Sequence, residues 1–274
     1  MKNSVCTKVK RVLFFDSGVG GLSVYRDVKE ANPTMEGYYL FDNECFPYGT
    51  KTERFLEQRV TALLKKATER FGICAAVIAC NTASTLVLPE VRAALDIPVV
   101  GVVPAIKPAA RLSKKKIIGL MATPGTVHRQ YTRNLIRNFA ADCKIVGLPS
   151  PVLASIAENR LLTGEVDEKS IEKVVKPILD MNEKDRPDVI VLGCTHYPFV
   201  VDVLKKLLPE ITFIDSGKAI GRRVRQVLYE LKEEKYLTVP TGAKAFFTGV
   251  LAHPEDRKRM VHEFGFGSLQ AFEL

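Results

Sequence analysis

The chain lacks any apolar run near the roughly 18 residues that a membrane-spanning helix needs; its longest candidates are short stretches such as residues 73–79 and 99–103. Early lysines precede the apolar stretch Val12–Phe15, but Asp16 interrupts it far too soon for a signal-peptide core. These absences argue against a bilayer-spanning protein, and the expected location is the cytoplasm. None of the six cysteines (Cys6, Cys45, Cys74, Cys80, Cys143 and Cys194) has CxxC spacing. Free thiols or small buried hydrophobes are therefore expected, with Cys74 in the core. The four histidines lack HExxH spacing, which together with the cysteine pattern leaves no expected metal site. GxGxxG, the P-loop Lys-Ser/Thr pair and the GxSxG elbow are also missing, so nucleotide binding and serine hydrolysis lose their usual signatures.

What is present is ordinary globular material. Of 274 residues, 46% are hydrophobic and 26% charged, enough to bury a substantial core without staples. The formal net charge is +9, with basic clusters at residues 114–116, 222–223 and 257–259. Such charge raises nucleic acid as a partner, yet each cluster is short, lacks interleaved aromatics and accompanies no nucleic-acid-binding motif. The clusters read as solvated faces, and an anionic small substrate is also compatible with them.

Short β-rich runs recur between helical stretches, at residues 12–15, 38–41, 75–79, 99–103, 117–121, 144–148, 189–192 and 212–214. This alternation predicts an α/β protein, and continuously apolar strands predict mainly parallel sheets covered on both faces. Thr50 and Glu53 read as the capping box of a helix carrying Phe55, Leu56, Val60, Leu63, Leu64, Ala67 and Phe71 before Gly72 ends it. Further helices are expected at 21–31, 126–139, 166–181, 199–208 and 218–231.

Two internal echoes stand out. Residues 75–82 (AAVIACNT) and 188–195 (DVIVLGCT) each end a strand in cysteine, and Phe15-Asp16-Ser17-Gly18 is matched by Ile214-Asp215-Ser216-Gly217. Two similar α/β lobes facing each other would explain both. Ligands of open α/β sheets bind beyond the carboxyl ends of the strands, where Cys80 and Cys194 fall. A thiol there can sit at a helix N-terminus, which would lower its pKa from about 8.5 toward working pH. His196, two positions past Cys194, can assist proton movement. The turn after Asp16, with Gly18, Gly20 and Gly21, lets backbone approach a ligand and can hold a carboxylate. Thr123-Pro124-Gly125-Thr126 offers hydroxyls and amides at the same sheet edge, and Thr126 is expected to contact substrate.

Four ordered motifs spanning nearly the whole chain resemble the glutamate racemases of the aspartate/glutamate racemase family. They are residues 16–21 (DSGVGG), 46–49 (FPYG), 80–84 (CNTAS) and 193–198 (GCTHYP). The resemblance implies two α/β domains, residues 1–103 plus 216–274 and residues 104–215, with the active site between them. It implies interconversion of L- and D-glutamate without a cofactor, Cys194 taking the α-proton of the L-enantiomer and Cys80 that of the D-enantiomer. Asp16 and His196 match the groups assisting the two thiols, and Glu158 matches a further family carboxylate, although Asn159 stands where a second acid is common. Ser17, Tyr48, Gly49, Asn81, Thr82 and Thr195 match substrate contacts. The family role would be to supply D-glutamate for peptidoglycan synthesis. A cell-wall precursor is a candidate activator, though no residue pattern marks its site. Aspartate racemase is the nearest alternative, disfavoured by Ser84 and His196 where that group typically has His and Glu. A noncatalytic basic binding protein is the alternative from another class.

Overall fold

The computed structural model describes residues 8–232 and 234–274. Cys6, expected to be a free or buried thiol, lies outside the described residues. The strands are β1 (Arg11–Asp16), β2 (Glu36–Phe41), β3 (Ala75–Ile78), β4 (Val99–Gly101), β5 (Ile117–Ala122), β6 (Lys144–Pro149), β7 (Val189–Leu192), β8 (Thr212–Ile214), β9 (Lys244–Phe247) and β10 (Leu269–Ala271). The helices are α1 (Leu22–Ala31), α2 (Glu53–Phe71), α3 (Asn81–Ala94), α4 (Ile106–Leu112), α5 (Pro124–His128), α6 (Gln130–Phe139), α7 (Leu153–Thr163), α8 (Glu168–Leu179), α9 (Val201–Leu207), α10 (Gly217–Glu230) and α11 (Pro254–Glu263).

The strands form two sheets, one in the order β10-β9-β2-β1-β3-β4 and one in the order β6-β5-β7-β8, with every ladder parallel. The protein is thus α/β with parallel sheets, as the unbroken apolar runs predict. In β1, Val12 and Phe14 pack on one face with Leu22 and Val28 of α1 and Val224 of α10, while Leu13 and Phe15 pack on the other with Leu56 and Val60 of α2. All four are fully buried, each contributing about 1.5–3 kcal/mol relative to exposure. The second sheet is built the same way: Ile190 and Leu192 of β7 face α7, α8 and α9, and Val189 and Val191 face α4.

The order β2-β1-β3-β4 repeats as β6-β5-β7-β8. Cys80 follows the third strand of the first set and Cys194 the third strand of the second, each two residues beyond the strand's end. The cysteine echo is therefore a topological equivalence. The Asp-Ser-Gly echo is not, because Asp16 ends the first strand of its set whereas Asp215 follows the fourth. What those two segments share is local: the glycine N–H two residues on donates to the aspartate Oδ1, at 3.0 Å for Gly18 and 2.8 Å for Gly217.

Several expected boundaries move. The cap of α2 is Thr52, whose hydroxyl accepts from Phe55 N–H at 3.4 Å, while Thr50 turns its hydroxyl to the Pro47 carbonyl at 3.1 Å. The helix expected at 126–139 breaks at Arg129, which is extended between α5 and α6. The one expected at 166–181 narrows to α8, capped by Asp167 accepting from Ser170 N–H. The segment expected at 199–208 begins as a 3-10 turn before α9. Strands β9 and β10 extend the first sheet beyond anything the apolar pattern marks.

Gly72, which closes α2, has φ +60° and its N–H donates to the Thr68 carbonyl. A Cβ there would meet nothing closer than 3.9 Å, so only the left-handed backbone resists a side chain. Gly72→Ala should lower stability by about 1 kcal/mol, read as a lower urea midpoint with unchanged m-value; an unchanged midpoint contradicts this account.

Candidate active site

The loops after the repeated strands converge on one pocket, lined by Ser17, Thr123, Ala154 and residues 46–49, 80–82 and 193–196. The space between atoms there, including its opening to solvent, is about 390 Å³, room for a small molecule and not for a dinucleotide. Both strand-end cysteines face it. So do Ser17, Tyr48, Gly49, Asn81, Thr82, Thr195 and His196 of the expected set. The Asn81 side-chain oxygen is buried without a hydrogen-bond partner among the described residues. Asp16, Glu158 and Thr126 lie behind this lining. Thr126 is fully buried, with its hydroxyl 3.0 Å from that of Thr123, and Thr123 is the one that faces the pocket. Among the described residues no group of three or more His, Cys, Asp or Glu is arranged to hold a metal ion.

Each cysteine has a carboxylate behind it through one intervening side chain. On one side Ser17 Oγ lies 3.6 Å from Cys80 Sγ and 3.5 Å from Asp16 Oδ1. On the other, His196 Nδ1 lies 3.8 Å from Cys194 Sγ, and Nε2 lies 3.2 Å from Glu158 Oε2. The two sides are tied together: the Thr195 hydroxyl donates to Asp16 Oδ2 at 3.1 Å, and Ser23 of α1 donates to the Thr195 carbonyl at 2.7 Å. Gly20 leaves room for this contact. A Cβ there would come within 2.3 Å of His196 Nδ1 and 2.6 Å of Thr195 Oγ1.

The electrostatics of the two sides differ. Burial pushes the Cys80 thiol up to about 12, and the Asp16 carboxylate adds to the rise. This reverses the lowered pKa expected from its position at the start of α3. A helix terminus offers typically 0.3–1 kcal/mol, which full desolvation of a thiolate outweighs. Burial also raises Asp16 to about 6, against the lowering effects of His196 and the Gly18 and Thr195 hydrogen bonds. At His196 burial opposes the charged ring, but its contacts with Cys194 and Glu158 prevail and lift it to about 10. Glu158, pushed up by burial, is held below the ordinary carboxylate range by His196 and Arg257. At neutral pH the structure therefore holds a protonated thiol at Cys80 and an imidazolium–carboxylate pair beside Cys194.

Sequence reasoning missed Arg257. It belongs to a cluster read as a solvated face, and Lys258 and Arg259 are exposed. Arg257 is only 6% exposed and donates from Nη2 to Glu158 Oε1 at 2.7 Å. A basic residue three before buried Met260 on a helix was the available signal.

Two topologically matched parallel sheets, with paired thiols at the ends of equivalent strands, define a racemase-type site. Residues 17–224 match the family model described as Asp/Glu/Hydantoin racemase. The chain belongs to this family and is an amino-acid racemase of the glutamate racemase type. It is 45% identical over 265 residues to glutamate racemase of Klebsiella pneumoniae, covering 96% of this chain and 92% of that protein. The corresponding protein of Vibrio vulnificus is 45% identical over 267 residues, covering 96% and 97%. Among solved structures, Escherichia coli glutamate racemase in complex with L-glutamate and the activator UDP-MurNAc-Ala superposes with a TM-score of 0.92 at 42% identity, covering 96% of this chain and 98% of that one.

The raised His196 pKa has a sign that can be checked. Between the ordinary histidine value of 6.5 and about 10, the folded protein holds a proton that the unfolded chain has released. Stability from this group is full below 6.5 and is lost as pH rises toward 10. In urea unfolding between about pH 7 and 8.5, His196→Gln should lose stability with rising pH less steeply than the native protein; equal slopes would show that the folded ring is not held charged.

Proposed function

We propose that the protein interconverts L- and D-glutamate by a two-thiol mechanism without a cofactor. The observation that carries this reading is the pair of thiols facing one pocket from equivalent strand ends, Cys80 backed by Ser17 and Asp16 and Cys194 backed by His196 and Glu158. A sulfur beside an imidazolium N–H can carry negative charge, and as a thiolate it is a base. Cys194 removes the α-proton of L-glutamate while Cys80, still a thiol, delivers a proton to the opposite face. The reverse pair of protonation states then accepts D-glutamate. Asp16 supports Cys80 through Ser17, and Glu158 supports Cys194 through His196.

The α-proton of an amino acid is only weakly acidic, so its removal without an electron sink requires a fixed base, a ready acid and a pocket with little water. Asn81, Thr82, Thr195, Ser17 and the Tyr48–Gly49 turn supply the polar groups that orient the substrate. The Tyr48 hydroxyl donates to Asp42 at 2.7 Å, and Arg59 clamps Asp42 with two contacts of 2.8 Å, which fixes that wall. We read residues 1–103 plus 216–274 and residues 104–215 as two domains, one around each sheet, with the site between them.

Glutamate is favoured over aspartate by the high identity to glutamate racemases and by His196, whose charge is part of the Cys194 side. A noncatalytic basic binder would not need two thiols on one pocket. The product supports a role in peptidoglycan synthesis and hence in cell-wall biogenesis and cell shape. A cell-wall precursor acts as activator by likeness to the E. coli protein, whose structure contains one. The proposed compartment is the cytoplasm, where the described cysteines would stay the free thiols they are; among the described residues no helix is long and apolar enough to cross a membrane.

Cys80→Ala and Cys194→Ala should each abolish inversion of L-glutamate in cofactor-free buffer, because either change leaves one face of the α-carbon without a proton partner. Circular dichroism should show both variants folded. A tenth of native turnover in either folded variant contradicts the assignment.

A further inference from the structure

We propose that Arg257 is a positioning residue for the Cys194 half of the site, acting from the first sheet's helical layer on a carboxylate carried by the second. This rests on the two-thiol reading above. Arg257 sits on α11, which connects β9 to β10 in the six-stranded sheet. Glu158 sits on α7, whose Leu153 and Ala157 pack into the core beneath the four-stranded sheet. Their contact therefore joins the layers on either side of the pocket. Both side chains are nearly inaccessible, 8% exposed for Arg257 and 11% for Glu158.

The carboxylate is divided between two partners. Oε1 accepts from Arg257 Nη2 at 2.7 Å, and Oε2 faces His196 Nε2 at 3.2 Å. Beyond the imidazole, Nδ1 faces Cys194 Sγ at 3.8 Å. The row from Arg257 to Cys194 alternates in charge when the sulfur is a thiolate. Without the guanidinium, Glu158 would be a buried carboxylate with His196 as its remaining ion-pair partner, and a proton passing from ring to carboxylate would neutralise both. The imidazole would then lose the charge it presents to Cys194.

Arg257 is held for this contact rather than for general hydrogen bonding. Its Nε donates to the Ala252 carbonyl at 3.1 Å, fixing the plane of the guanidinium, while Nη1 is buried with no partner among the described residues. Buried donors are normally satisfied, so the orientation is set by Glu158 at the expense of the third nitrogen. Neighbouring Arg259 instead reaches the Leu162 carbonyl from an exposed position.

Rate alone cannot assign the effect to one thiol. The enantiomers are equal in energy, so kcat/KM must be the same in both directions for every variant. Isotope effects on α-deuterated substrates separate the two halves. If Arg257 serves Cys194, then Arg257→Gln makes proton removal from L-glutamate more rate-limiting: the isotope effect rises with the L-substrate and falls with the D-substrate. The loss in kcat/KM should be about tenfold, less than the 10²–10⁴-fold that general acid–base groups themselves contribute. Arg257→Lys, which keeps the charge but not the fork, should show a smaller change in the same sense.

A slower Arg257→Gln enzyme with an unchanged ratio of L to D isotope effects would mean that the residue only fastens α11 to α7, and the proposal fails. An undiminished rate fails it too. Should Arg257→Gln not fold, an unshifted ratio in Arg257→Lys overturns the proposal equally. Cys194→Ala run alongside separates the two claims: turnover by that variant defeats the two-thiol reading itself, whereas an inactive Cys194→Ala with an unmoved isotope ratio defeats the Arg257 proposal alone.

Discussion

The proposed chemistry of this pocket depends above all on the contact between His196 and Glu158. A lone imidazole so deeply buried would be neutral, because desolvation opposes the charged ring. The carboxylate 3.2 Å away and the sulfur 3.8 Å away on the other side reverse that outcome. An ion pair so deeply buried is stable only when its remaining atoms are also paired, and the second carboxylate oxygen finds Arg257. The opposite thiol, Cys80, has a hydroxyl where Cys194 has an imidazole. It is backed by Ser17 and a carboxylate, and burial keeps its proton on. Two chemically identical side chains thus stand in unlike electrostatic settings because of what lies behind them.

The fold makes this arrangement available by repetition. In each sheet the first strand has its second on one side and its third on the other, and the crevice at that switch of direction is where open α/β sheets bind ligands. Asp16 comes from the first strand of one set and Cys80 from its third; Thr123 and Cys194 come from the corresponding strands of the other. The short loops cross between the halves through Ser23, Thr195 and Asp16. On another side of the pocket Arg129 reaches from the loop after α5 to the Thr82 carbonyl and the Thr85 hydroxyl of α3, at 2.8 and 3.1 Å.

Much of this is legible in the residues themselves. The apolar runs of β1, β3, β5 and β7 are continuous because both faces are covered, and that pattern depends only on local composition. Helix α2 announces itself through its periodic Leu and Val positions and Gly72. The cysteine echo marks two equivalent strand ends because the same local requirement, a small polar turn after a buried strand, is met twice. Other features depend on geometry that the residue pattern does not mark. The capping role falls to Thr52 rather than Thr50 because the 3-10 turn at residues 48–50 engages Thr50. Strands β9 and β10 are short, and pairing with β2, far earlier in the chain, defines them. Arg257 looks like one of three solvated basic residues, and its partner is 99 positions away. Local reading also misjudged Cys80, since a helix N-terminus favours a thiolate but burial, a property of the whole fold, opposes it more strongly.

The central claim, that separate thiols serve the two faces of one carbon, is tested most directly by racemising protiated L-glutamate in deuterated water and analysing the separated enantiomers at early times by mass spectrometry. If Cys80 delivers a proton equilibrated with solvent, the D-glutamate formed carries deuterium at the α-carbon while the remaining L-glutamate stays largely protiated. D-glutamate appearing mainly with its original protium would mean that one base removes and returns the same proton, and would contradict the account.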